Sequence, residues 1–172
     1  RRGHDAMTRL HRILATWFGS GYFPIASGTA GTAATIPLVL LLWRLGSWPL
    51  HLAAAALIFA LGLWAAKDAE TYWRRKDPGQ VVIDETAGYL LTTLPVGLAV
   101  PSFDAPAGWI VPLGVSFLLF RAMDIVKPWP ARRLEALPGS LGIMIDDMFA
   151  GAYALLLQQA AFWALRRGGL WG

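Results

Sequence analysis

Two acidic doublets stand out as groups that could do chemistry: Asp84-Glu85 and Asp146-Asp147. Each leads into an apolar stretch, where a carboxylate is costly unless something pairs with it. If the doublets share a site they repel one another, and a bound divalent cation would remove that repulsion. With no cysteine in the chain, and only His4, His11 and His51 scattered along it, thiolate and histidine-rich zinc sites are excluded. Oxygen-only ligation points to Mg²⁺, with Mn²⁺ as the variant. Asp also caps helix starts, and a single acid would be explained that way; two doublets are not. The contexts match as well. Asp84-Glu85 is followed by Gly88 and Asp146-Asp147 by Gly151, so each places acids near an expected helix start with a glycine about one turn on. A glycine there lets a second helix come close.

A second set recurs every three residues: Arg121, Asp124 and Lys127. That spacing aligns them on one helical face, and Pro128 ends the helix, since the residue before proline avoids the α region. The cations at such a helix end are favoured by the dipole alone. They would also neutralise phosphate oxygens, with Asp124 as base or extra ligand. A third set lies in the glycine- and hydroxyl-rich stretch 19–32, where Ser27, Gly28, Thr29, Gly31 and Thr32 precede an apolar run. Amides and hydroxyls at a helix start can cradle an anion. No lysine follows the last glycine, so this is not a Walker loop.

The elements that must position these groups are helices in lipid. Of 172 residues, 56% are hydrophobic and only 15% charged, too few charges to cover a soluble domain of this size. Apolar runs at 32–43, 49–66, 86–100, 109–120 and 148–165 predict an all-α, multi-helical membrane bundle with about four to five membrane-associated helices. A crossing needs about 20 apolar residues, so the first and fourth runs look short, and a partly embedded or unusually apolar soluble bundle is the alternative. The net charge of +4 fits anionic lipid and, given the hydropathy, not nucleic acid. Basic residues gather before the first run (Arg9, Arg12), between the second and third (Lys67, Arg74, Arg75, Lys76) and between the fourth and fifth (Arg121, Lys127, Arg132, Arg133). Helical hairpins would put all three on one side, which the positive-inside rule makes cytoplasmic. Both acidic doublets fall there too. Trp43, Trp48, Trp109 and Trp163 would mark the opposite interface, and Trp17, Trp73 and Trp129 the basic one. Residues 1–6 read as an expression remnant or a trimmed terminus, and 1–172 as a single domain.

The stretches 21–32, 77–88, 120–130 and 142–151 resemble, in order, those of the phosphatidylglycerophosphatase A family. The most specific are Asp-Ile-Val-Lys-Pro-Trp-Pro from Asp124 and Gly-Ile-Met-Ile-Asp-Asp from Gly142; Ser27 stands where the family often has proline. The resemblance implies Mg²⁺-dependent hydrolysis of phosphatidylglycerophosphate to phosphatidylglycerol and phosphate. It implies a multi-pass protein of the bacterial inner membrane, working among bilayer lipids at the cytoplasmic face, with no obligatory protein partner. On that reading Asp84, Glu85, Asp146 and Asp147 hold the metal, and Asp124, Lys127 and Asp77 are catalytic. Arg121 and the 27–32 residues bind substrate. The alternative is a transporter or channel for a divalent cation or an anion. Acids in the middle of a membrane helix would favour it.

Overall fold

A computed structural model describes residues 7–97 and 101–170; the sequence-based assignment of 1–6 lies outside these. Eight α-helices and a short 3₁₀ turn follow one another, with no strand among the described residues. They are α1 (Arg9–Ala15), α2 (Ser27–Leu45), α3 (Trp48–Ala65), α4 (Ala69–Trp73), α5 (Ile83–Thr92), α6 (Pro106–Val126), α7 (Ala131–Leu134) and α8 (Gly139–Arg167). Four of them, α2, α3, α6 and α8, are long and apolar enough to cross a membrane. The first and fourth apolar runs, short in the sequence, are extended by flanking residues to 19 and 21 residues.

Local chemistry sets the ends. Gly46 takes a left-handed conformation (φ 67°) to close α2, and the Ser47 hydroxyl accepts from the Leu50 amide to open α3, with Pro49 in its first turn. Ser is a preferred cap and proline a preferred first-turn residue. Two residues thus suffice to turn α2 into α3. At the far end of α6, Lys127 is left-handed (φ 46°) immediately before Pro128.

The third apolar run does not form a crossing. It gives the ten-residue α5, buried among α2, α3, α6 and α8, and its helix stops ahead of Pro95. Ten residues rise roughly 15 Å at 1.5 Å each, half of the roughly 30 Å of hydrocarbon. The part of that run at 98–100 lies outside the described residues. A helix that ends inside an apolar bundle leaves carbonyls that must find donors. Trp43 supplies its indole N–H to the Thr93 carbonyl at 2.7 Å, and His51 Nε2 lies 3.0 Å from the Leu90 carbonyl. Trp43 is therefore a buried donor (4% exposed) rather than part of an interfacial belt. Trp17 is likewise buried, whereas Trp48, Trp129 and Trp163 are exposed.

Helices α5 and α8 cross backbone to backbone. A Cβ on Gly88 would run into the Asp147 carbonyl, and one on Gly151 into the Gly88 carbonyl. Each glycine sits about one turn past an acidic doublet, so the crossing itself brings the doublets together.

Candidate active site

The first turn of α5 supplies Asp84 and Glu85, and α8 supplies Asp147. Carboxylate oxygens of these three lie within 4.8 Å of one another. Asp84 and Asp147 are buried and Glu85 nearly so. One oxygen on each (Asp84 Oδ1, Glu85 Oε2, Asp147 Oδ2) is buried without a hydrogen-bond partner. Buried polar atoms in native proteins are almost always paired, so three orphaned carboxylate oxygens converging on one point fit a hard divalent cation bound through oxygen. Burial first, then the charge of Glu85, pushes the Asp84 carboxyl well above the usual carboxylate range. Burial likewise pushes Glu85 up to about 8, with Asp147 and Asp124 adding to it and Arg121 opposing. Burial at this point therefore favours the protonated carboxyls, and a bound cation would oppose that.

Asp146, also expected among the ligands, lies outside that trio, and its Oδ1 is likewise buried without a hydrogen-bond partner. Its Oδ2 accepts from Lys127 Nζ at 2.6 Å, and Lys127 also pairs with Glu135 at 3.3 Å. Burial alone would lower the Lys127 ammonium, but the hydrogen bond and charge of Asp146, with Asp147 and Glu135 behind it, hold it above its ordinary range. Adjacent residues on a helix point about 100° apart, which is why neighbouring acids take different partners. The left-handed cap at Lys127 aims its side chain back across the bundle rather than along α6.

On α6, Arg121 pairs with Asp124 at 2.5 Å and lies 4.0 Å from Glu85. Asp124 in turn adjoins Asp147. Asp77 sits on the loop before α5 with a left-handed backbone (φ 45°). Burial pushes its carboxyl up, with Lys127 pulling the other way.

The hydroxyl cradle differs from expectation. Residues 27–32 form the first turns of α2 rather than a loop before it. The Thr32 hydroxyl is buried and donates to the Gly28 carbonyl at 2.8 Å. A Cβ on Gly31 would strike Val82, and Thr29 lines an apolar groove with Phe23, Ile25 and Ala33. Gly31 and Thr32 are thus engaged in the packing of α2, while Thr29 is half-buried at the edge of that groove. Gly28 is different: a Cβ there would meet Glu85 Oε1 and the Arg121 guanidinium, so its lack of a side chain lets α2 reach the acidic cluster. Ser27 faces an open cavity of about 300 Å³ beside it.

The acids of α8 were also expected at a helix start, and they lie in its third turn instead. This does not put them in mid-membrane. All 29 residues of α8 span roughly 44 Å, well over the roughly 30 Å of hydrocarbon. The residues after Asp147, 148–167, are by themselves about one crossing long. The other three long helices reach the same end of the bundle: α2 starts there at Ser27, α3 ends before Lys67, and α6 ends at Val126. The cluster is at the end of the crossings, with most of the basic residues around it.

Glu135, which carries no role in the sequence reading, belongs to the site as the second partner of Lys127. Its only signal in the sequence is its place between Asp124 and the Asp146-Asp147 doublet, since α7, which places it, is four residues long and has no periodicity to detect.

The family model for phosphatidylglycerophosphatase A matches residues 13–162. A phosphatidylglycerophosphatase A of Haemophilus influenzae is 38% identical over 89% of this chain and 90% of its own. One of Escherichia coli K12 is 34% identical over 84% and 79%. A Bacteroides thetaiotaomicron protein, provisionally named a phosphatidylinositol-3-phosphatase, is 38% identical over 89% and 94%. No solved structure matches the chain.

Proposed function

The chain belongs to the phosphatidylglycerophosphatase A family of phosphoric monoester hydrolases, and from that premise we propose that it removes the terminal phosphate of phosphatidylglycerophosphate at the cytoplasmic face of a bacterial inner membrane, with Mg²⁺ as cofactor. The observation that carries this is the convergence of Asp84, Glu85 and Asp147, each with a buried orphaned oxygen, at one end of four crossing-length helices. Lipid headgroups present their phosphates at that depth.

These three carboxylates would hold the ion. When bound, it polarises the phosphoryl group and acidifies an attacking water. The remaining steps belong to side chains. Lys127 and Arg121 neutralise charge that builds on the phosphoryl oxygens. Asp146 and Glu135 hold the Lys127 ammonium in place and charged. Asp124, fixed by Arg121, accepts the proton of the water. As the phosphorus–oxygen bond to glycerol breaks, a proton must return to the departing alkoxide. Asp77, whose burial favours its protonated form, is the group placed to supply it. A phosphoaspartate route would instead use one of the carboxylates as nucleophile.

A phosphoinositide is the second reading, favoured by the name of the Bacteroides relative. Transport through the bundle is disfavoured by acids that sit at the end of the crossings. One assay separates these readings. Purified protein in vesicles should release phosphate from phosphatidylglycerophosphate with Mg²⁺, lose that activity in EDTA, and act more slowly on phosphatidylinositol 3-phosphate and phosphatidic acid. Phosphate release unaffected by EDTA would sink the metal assignment, and a preference for the phosphoinositide would replace the substrate.

A further inference from the structure

We propose that Arg75 recognises the second phosphate of the substrate, the phosphodiester joining the phosphorylated headgroup to the lipid, and so sets a preference for lipids with two phosphates over lipids with one. The inference rests on the lipid phosphatase reading above.

Some cations at this end of the bundle are tied down, and others, Arg75, Arg132 and Arg133 among them, make no ion pair or side-chain hydrogen bond among the described residues. Lys127 and Arg121 are tied to carboxylates, Arg12 donates to the Tyr72 hydroxyl, and Lys76 reaches the Ala136 carbonyl. Arg75 is exposed, and among the described residues its side chain makes no ion pair or hydrogen bond. It lines two open cavities. One, of about 320 Å³, also has Asp77, Arg132 and Glu135 on its wall. The other, of about 300 Å³, has Ser27, Gly79 and Gln80. Each leads to the cluster through a single step. Glu135 pairs with Lys127, and Ser27 precedes Gly28, which abuts Glu85 and Arg121. Arg132 lines only the first cavity.

The loop is wound to present this residue, with left-handed backbone at Arg74 (φ 52°) and Asp77 (φ 45°) on either side of it. The amino end of α2 opens on the Ser27 cavity with no side chain capping it, so backbone amides there add to the guanidinium. A substrate whose terminal monoester sits at Asp84, Glu85 and Asp147 carries its diester one glycerol further out. That position is the rim where Arg75 stands. A guanidinium fits the two free oxygens of a phosphodiester bidentately. Phosphatidic acid, with one phosphate, would leave Arg75 without a partner.

The test measures phosphate release by the full chain in phosphatidylcholine vesicles, on phosphatidylglycerophosphate and phosphatidic acid in parallel. Arg75→Gln should shrink the ratio of the two kcat/KM values by about tenfold to a hundredfold, the range for a lost charged hydrogen bond. The change should lie in KM for the two-phosphate lipid. Arg75→Lys, which keeps the charge and loses the fork, should retain part of the preference. An unchanged ratio, or an equal loss on both lipids, overturns the role of Arg75 alone. A wild type that releases no phosphate from phosphatidylglycerophosphate overturns the functional reading and this inference together.

Discussion

The two ends of α5 lie in the same bundle and are treated in opposite ways. At the carboxyl end, Trp43 and His51 meet the Thr93 and Leu90 carbonyls, and the Thr92 hydroxyl bonds to Gly88 and lies 3.3 Å from the Gly151 carbonyl. At the amino end, ten residues away, three carboxylates crowd together with an oxygen apiece left unpaired. Both ends place polar groups where water is scarce, and leaving such groups unpaired is costly at each, more so for carboxylates. The carboxyl end is finished by the chain itself. At the amino end the chain leaves three carboxylate oxygens without a partner, as the proposed metal site requires. Completed pairing marks structure, and convergent unpaired oxygen marks a place kept for a ligand.

The strongest way to break this contrast is to neutralise the amino end. Asp84→Asn and Asp147→Asn should each lower kcat/KM about a thousandfold, since metal polarisation is worth several kcal/mol and each 1.36 kcal/mol is tenfold. Thermal stability without metal should hold or rise, because a buried group whose ionisation is costly is replaced by a neutral one of similar shape. Measured together, activity and melting temperature should move apart. A variant that melts early and keeps its activity would reverse the assignment. Lys127→Gln is the next step down, at about a hundredfold in kcat, the scale of one lost donor to a developing oxyanion. It also leaves Asp146 buried without its cation, so Lys127→Gln with Asp146→Asn should recover stability but not turnover.

Acidity tests the same end without mutation. Without metal, Glu85 is pushed up to about 8, above its unfolded value. A carboxyl so raised binds its proton more tightly in the folded state, so its contribution is present at pH 4–5 and is lost as the pH climbs through about 8. In EDTA the melting temperature should therefore fall between about pH 5 and 8. Mg²⁺ replaces the protons, so its apparent affinity should rise over the same window, by up to about tenfold per pH unit for each proton displaced. Melting in EDTA that improves with pH would show that the carboxylates are stabilised from within the protein.

Much of the amino end was legible in the sequence because its signals are local. Doubled acids, a glycine one turn on, and the three-residue spacing that pairs Arg121 with Asp124 survive as geometry, while Lys127 leaves the helical face at its left-handed cap. What the sequence did not show depends on distant partners. Asp146 and Asp147 are indistinguishable as letters, and only the lysine arriving from α6 separates them. Gly31 and Thr32, read as part of an anion cradle, also meet Val82 and the Gly28 carbonyl, because small and hydroxyl residues serve phosphate binding and helix packing equally well. The half-length of α5 was hidden because the apolar run continues past Thr92 and hydropathy does not register where a helix stops. The carboxyl end was misread altogether: Trp43 has the composition of an interface residue, and its duty as a hydrogen-bond donor appears only once Thr93 is beside it.

That misread end supplies the smallest effect and the most discriminating one. Trp43→Phe keeps an aromatic ring among Val39, Leu42 and Leu90 and removes the indole donor 2.7 Å from the Thr93 carbonyl. The carbonyl is then buried without its partner, which costs about 1–3 kcal/mol, read as a lower melting temperature in detergent. Turnover per folded molecule should be unchanged, because the carboxyl end of α5 touches neither the acidic cluster nor its cations. Loss should also be independent of Mg²⁺, in contrast to every substitution at the other end. If Trp43→Phe instead lowered kcat at constant stability, the half-helix would be transmitting strain along its length to Asp84 and Glu85. The two ends would then be one device rather than a finished end and an open one.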